Sequence, residues 1–166
     1  MVESALGLQA GEFFVHRNIA ACVPPADQPH APITAVLEFA LHTLQVRHLI
    51  VCGHTDCGGV YALDTLPDSR VYPALRQWLD MIRPAQQQVD AAQPHLPPPA
   101  RHRAIVQQHV SNQLANCRSY PFIHEREKQG KLEMHGWVHD LHQQTLWSVD
   151  EGSGQWIVDS GQWTVD

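Results

Sequence analysis

Lysine is nearly absent from this chain. Lys128 and Lys131 are the only two in 166 residues, and the formal net charge is −6. Neutralising a phosphate backbone takes clustered cations, so nucleic-acid binding is excluded as a reading. Also missing is any run near the ~20 apolar residues that span a bilayer, and no membrane partner is expected. The segment after Met1 lacks the charged and then apolar stretches of a secretion signal, which points to the cytoplasm. Four cysteines, Cys22, Cys52, Cys57 and Cys117, could form two disulfides by count. Without a secretion signal, thiols are the expectation instead.

Charged residues make up only 17% of the chain and apolar residues 43%. That balance fits one folded domain with a real core, and excludes a disordered chain. Twelve histidines are many for this length. Most belong to surface and core, and together they make net charge sensitive to pH between roughly 5 and 7.

Along the chain, Glu12 to His16 reads as a short strand after the turn Ala10-Gly11. Apolar residues at Val36, Leu37, Ala40, Leu41 and Leu44 have helical spacing over Thr34 to Leu44. The run His48-Leu49-Ile50-Val51 reads as a buried strand ending near residue 53. Leu75, Trp78, Leu79 and Ile82 predict a helix over Pro73 to Ile82, with its proline in the first turn. Four prolines predict a loop over Ala91 to Ala100. Helices follow over Ala104 to Leu114 and over Pro121 to Gln129, the latter stopped by Gly130. The chain then turns β-rich around Gly136, with Thr145 to Val149 placed to pair as a hairpin. The order predicts an α/β domain over residues 1–149, with a parallel core and an antiparallel C-terminal edge. Residues 150–166 form a tail. In it Ser153 to Asp159 and Ser160 to Asp166 match at six of seven positions. The readings are two short strand-and-turn units that extend a sheet edge or contact a subunit, or else a partly ordered tail from a local duplication; two units are too few for a solenoid.

The chemistry concentrates in Cys52-Gly53-His54-Thr55-Asp56-Cys57-Gly58-Gly59. This turn follows a strand, where ligands collect in open α/β sheets. Imidazole and thiolate are both zinc ligands. Cys57 falls at the start of a short helix through Tyr61 and Leu63, and a helix N-terminus favours the thiolate. Gly53 lets the chain leave the strand sharply, while Gly58 and Gly59 leave backbone N–H groups open to a small anion. Cys52 reads as a small core residue. Asp56 reads as facing solvent or capping the helix.

The stretch Leu49 to Val60 resembles the second zinc-binding segment of the β-class carbonic anhydrases. Further blocks resemble that family in order: Gly11 to Ala20, Val36 to Ala40, Asn116 to Pro121, Gly130 to Leu132, and His135 to Asp140. Together they cover roughly residues 1 to 149. The resemblance implies a mostly parallel twisted sheet flanked by helices, in homodimers or higher homo-oligomers. It implies a Zn2+ cofactor held by Cys, His and Cys, and reversible hydration of carbon dioxide to bicarbonate. His54 and Cys57 match the second and third zinc ligands. Phe14, Ile19 and Phe39 match apolar cleft positions, with core packing as the bland alternative. The N–H of Gly58 is the expected contact for bicarbonate.

The family's first motif, Cys-x-Asp-x-Arg, occurs nowhere in the chain. Asp68-Ser69-Arg70 imitates its second half, with Leu66 where the cysteine belongs, and reads as coincidence in a loop. The resemblance therefore implies an N-terminally shortened domain. It would lack the first strand, one zinc ligand and the Asp-Arg dyad, so no catalytic residue can be named. The strands near 12–16 and 48–53 would lose the neighbour they share. Impaired hydration is expected, and a non-catalytic structural or interaction subunit is the alternative. A zinc hydrolase or deaminase is a third, weaker reading; a deaminase expects His-x-Glu and Pro-Cys-x-x-Cys, and neither occurs.

Overall fold

The computed structural model of the chain describes residues 9, 11–150 and 152–159. One sheet runs in the order β1 (His48–His54), β2 (Glu133–Asp140), β3 (Thr145–Asp150) and β4 (Gln155–Asp159). β1 and β2 are parallel, with His48 opposite Glu133 and His54 opposite His139. The β2–β3 and β3–β4 pairs are antiparallel. Between the parallel strands the chain crosses over through helices, as parallel pairing requires. The fold is α/β, a mixed sheet flanked by helices. The first copy of the tail repeat supplies β4 on the outer side of β3. The second copy, Ser160 to Asp166, lies outside the described residues.

Proline sets most helix starts. α1 (Ala31–Glu38), α3 (Pro73–Asp80), α4 (Arg83–Ala92), α5 (Pro98–Arg118) and α6 (Pro121–Lys128) each carry one in the first two positions. There the missing N–H has no helical partner to lose. α2 (Gly58–Thr65) alone starts without one. This rule shrinks the loop expected over Ala91 to Ala100. Only residues 93–97 connect α4 to α5, because Pro98 and Pro99 open the long helix. α1 passes into a π-turn at Phe39–Thr43, which ends the expected helix near Leu44.

α5 holds the domain together. Its buried residues are His102, Ile105, Val106, His109, Val110, Gln113, Leu114 and Cys117, one helical stripe laid on β1 and β2. Each fully buried aliphatic side chain contributes roughly 1.5–3 kcal/mol. Two strand glycines let the helix sit this close. A Cβ on Gly53 would lie 2.9 Å from Val106 Cγ1 and 3.0 Å from Val110 Cγ2. One on Gly136 would lie 2.8 Å from both Leu114 Cδ1 and Val149 Cγ1. Gly53 is thus a close-packing position inside β1, not the sharp exit expected of it.

The strand expected over Glu12 to His16 does not form; these residues carry no regular structure. A strand needs ladder partners for its backbone, and these residues have none among those described. Among the described residues β1 is likewise paired on one side only. The segment from Glu12 to Asn18 and β1 residues His48 to Cys52 instead line one cavity of about 600 Å³. Phe14 packs on Phe39, with ring centroids 5.5 Å apart.

Candidate metal centre

His54 closes β1 and Cys57 caps the N-terminus of α2, so a strand end and a helix start fix the two side chains. The turn between them is pinned to β2. Thr55 N–H donates to the His139 carbonyl at 2.9 Å, and Thr55 Oγ1 accepts from Leu141 N–H at 2.9 Å. Asp56 takes a positive φ of 56° at the tip of the turn.

His54 Nδ1 donates to the Thr55 carbonyl at 2.8 Å. That bond fixes the tautomer and leaves Nε2 as the ring nitrogen free for a metal, the usual arrangement of a metal-bound histidine. Hydrogen bonding with the Cys57 sulfur holds His54 above its ordinary value, against the opposing effect of burial. Burial pushes the Cys57 thiol up, but His54 and the backbone N–H groups of Val60 and Gly59 outweigh it. The net shift is downward, toward thiolate. The two opposite shifts favour an imidazolium–thiolate pair; the thiolate is already in its metal-binding form, and zinc would bind His54 by displacing its proton.

These two residues supply a fragment of a zinc site. Among the described residues no third His, Cys, Asp or Glu ligand atom joins them within 4.8 Å. A catalytic zinc takes three protein ligands and keeps one open position. The described donor set is one short, so no reaction step is derived through the metal.

The other expected residues fall as follows. A Cβ on Gly58 would meet nothing within 4 Å, so open space borders its backbone. Ile19 reaches the centre: its Cγ2 lies 3.1 Å from the Cβ position of Gly59, which is itself 3.8 Å from Cys57 Sγ. Phe14, Ile19 and Phe39 are 44%, 49% and 46% exposed in the single chain. Cys52 is half-buried in β1, and its sulfur donates to the Gly53 carbonyl at 3.4 Å. All four cysteines are free. Asp56 does not cap α2; it holds Tyr61 and His142, which together lower its pKa, His142 the more. Asp68 and Arg70 form a local, exposed ion pair.

Several supporting residues escaped the sequence. His102 Nε2 donates to the Cys57 carbonyl at 3.2 Å, and its ring stacks on Tyr61 at 3.7 Å. His109 Nε2 donates to the Ala20 carbonyl at 2.9 Å, while Gln113 Nε2 donates to His109 Nδ1 at 3.3 Å. Gln113 Oε1 accepts from Val23 N–H at 2.7 Å, and Asn116 Nδ2 donates to the Val23 carbonyl at 2.8 Å. Trp78 Nε1 donates to the Ile19 carbonyl at 2.9 Å. Asn18 clamps Cys22 through both its amide atoms. This ladder seats the turn Ile19–Ala21 against Gly59 beside Cys57. Its signal was present in the sequence: polar residues recur at helical spacing on an otherwise apolar stripe of α5. His139 sits opposite His54, and its Nε2 is buried without a partner among the described residues.

Comparison with known proteins gives a consistent result. The sequence model of the family described as carbonic anhydrase matches residues 1–146. The carbonic anhydrase of Pseudomonas aeruginosa is 33% identical over 149 residues, covering 90% of this chain and 67% of that protein. The solved structure of the β-carbonic anhydrase CcaA superposes with a TM-score of 0.87 at 26% identity, covering 95% of this chain and 77% of that one. One of two tetrameric β-carbonic anhydrases from Sordaria macrospora gives a TM-score of 0.71 at 30% identity, covering 96% and 74%. The chain spans 52% to 67% of the length of the first four curated relatives.

Proposed function

We propose a function for this chain from one premise: it belongs to the β-class carbonic anhydrase family. The reading is a zinc lyase that interconverts carbon dioxide and bicarbonate, with His54 and Cys57 as metal ligands. One observation carries it. His54 Nδ1 is tied to the Thr55 carbonyl, which leaves Nε2 beside a sulfur biased toward thiolate. Bound zinc would supply hydroxide at neutral pH, by lowering the pKa of water to about 7.

This chain's own residues would do the rest. Thr55 holds the turn in register with β2, and the α5 ladder seats Ile19 at the centre. Gly58 offers its backbone N–H to an anionic product across open space. Exposed Phe14, Ile19 and Phe39 suit an apolar cleft shared with a second copy of the chain, which supports a homo-oligomer. Four free thiols suit the cytoplasm. No helix among the described residues is long and apolar enough to cross a membrane.

A second reading has its own support. Only two ligands come together among the described residues, which favours a non-catalytic subunit of the same fold. Measuring bound zinc and carbon dioxide hydration separates the two. Zinc-dependent hydration that disappears in Cys57→Ser supports the enzyme. Stable oligomers without zinc or hydration support the subunit.

A further inference from the structure

The opposite end of β1 carries a second cluster of ligating groups. His48 opens β1 and lies opposite Glu133, which opens β2. Paired residues in adjacent strands project to the same face, and His135, two positions on from Glu133, shares it. His48 Nδ1 and His135 Nε2 are 3.1 Å apart. His48 Nδ1 and Glu133 Oε2 are 3.8 Å apart, and the three ligand atoms all lie within 4.8 Å of one another. His54 lies six residue steps along β1 from His48, or roughly 20 Å along a strand. The cluster is therefore separate from the His54–Cys57 centre.

We propose that His48, Glu133 and His135 form a binding site for a divalent first-row transition ion, Zn2+ or a chemical neighbour. Two imidazoles and one carboxylate are a common donor set for such ions. Metal–ligand bonds of about 2.0–2.1 Å at tetrahedral angles separate ligand atoms by about 3.3 Å. The 3.1 and 3.8 Å separations straddle that value and the third lies within 4.8 Å, so side-chain rotation alone must bring the three donors onto one ion. The competing explanation is a plain hydrogen bond between the imidazoles, one donating and the other accepting. That bond accounts for the 3.1 Å contact but gives the carboxylate no part. The backbone geometry favours a site, because two paired strands fix all three Cα positions. Exposure of Glu133 gives an ion a way in and leaves room for water in the remaining positions.

The test uses the full chain, stripped of metal and titrated with Co2+. Cobalt bound by a thiolate has an intense charge-transfer band; cobalt bound by histidine and carboxylate shows only weak visible bands. In Cys57→Ser the thiolate band vanishes, and the proposed site still takes one saturable equivalent of Co2+. Adding His135→Ala or Glu133→Gln should weaken that equivalent by more than the 10–100-fold typical of lost outer-shell partners. Glu133→Gln alters one exposed atom and leaves the fold intact, so a folding failure of His135→Ala does not blunt the test. Unsaturable binding, or binding unchanged by Glu133→Gln and His135→Ala, overturns the proposal. Neither result bears on the His54–Cys57 reading, which the thiolate band reports separately.

Discussion

His109 should make this domain unusually sensitive to mild acid. Its ring is 3% exposed in the middle of α5. Burial pushes its pKa down from 6.5 to about 4, and the bond to the Ala20 carbonyl opposes this only in part. Its neighbours are the Ala20 carbonyl, the Gln113 amide and the Cys22 sulfur at 3.7 Å. Cys22 is itself pushed up to about 12, first by burial, so it is a neutral thiol across the working range. No anion among these neighbours stands ready to welcome an imidazolium.

The unfolded chain binds this proton below about pH 6.5, and the folded chain only below about 4. Stability is therefore full above pH 6.5 and falls as pH drops toward 4. The whole effect is about 3 kcal/mol. About 2 kcal/mol of it is gone by pH 5. Urea unfolding at pH 7 and pH 5 measures the loss. His109→Gln can keep a donor to Ala20 and removes the titration. The wild type should lose about 2 kcal/mol more than this variant between the two pH values. Equal losses in both proteins would refute the reasoning, since His102 and His139, also lowered by burial, remain in each.

Other outcomes follow from packing and hydrogen bonds. Gly136→Ala sets a Cβ 2.8 Å from Leu114 and Val149 side chains, and should cost roughly 1–3 kcal/mol in a denaturant melt. Thr55→Val keeps the shape but orphans Leu141 N–H. It should cost about 1–3 kcal/mol and loosen metal held by the turn, read as faster release to a chelator. Trp78→Phe removes the donor to the Ile19 carbonyl, with an expected loss of about 1 kcal/mol in the same melts.

Much of this was legible in the sequence. The strand–turn–helix around His54 and Cys57 follows from an apolar run, a glycine-rich turn and helical spacing, and it stands where expected. The β2–β3 hairpin was also readable, whereas the sheet-edge role of the first tail repeat was one of several open readings, decided by its pairing with β3. Glu12 to His16 misled because strand propensity counts for nothing without a ladder partner. α4 was silent because it buries only Ala85 and Val89, around a run of glutamines. Proline misled at residues 98–99, where it starts a helix instead of breaking one. The polar ladder of α5 left its mark in the sequence as polar residues at helical spacing, but the partners of His109, Gln113 and Asn116 lie in a distant turn, which local pattern cannot supply.

The proposed zinc site rests on His54 and Cys57 and lacks a third ligand among the described residues. The most direct measurement appends a strand bearing Cys-x-Asp-x-Arg ahead of Met1. It then follows carbon dioxide hydration and bound zinc, with and without Cys57→Ser. The expected result is zinc-dependent hydration well above that of the chain as it stands, abolished by Cys57→Ser. Hydration that survives Cys57→Ser, or is absent from every version, would contradict it.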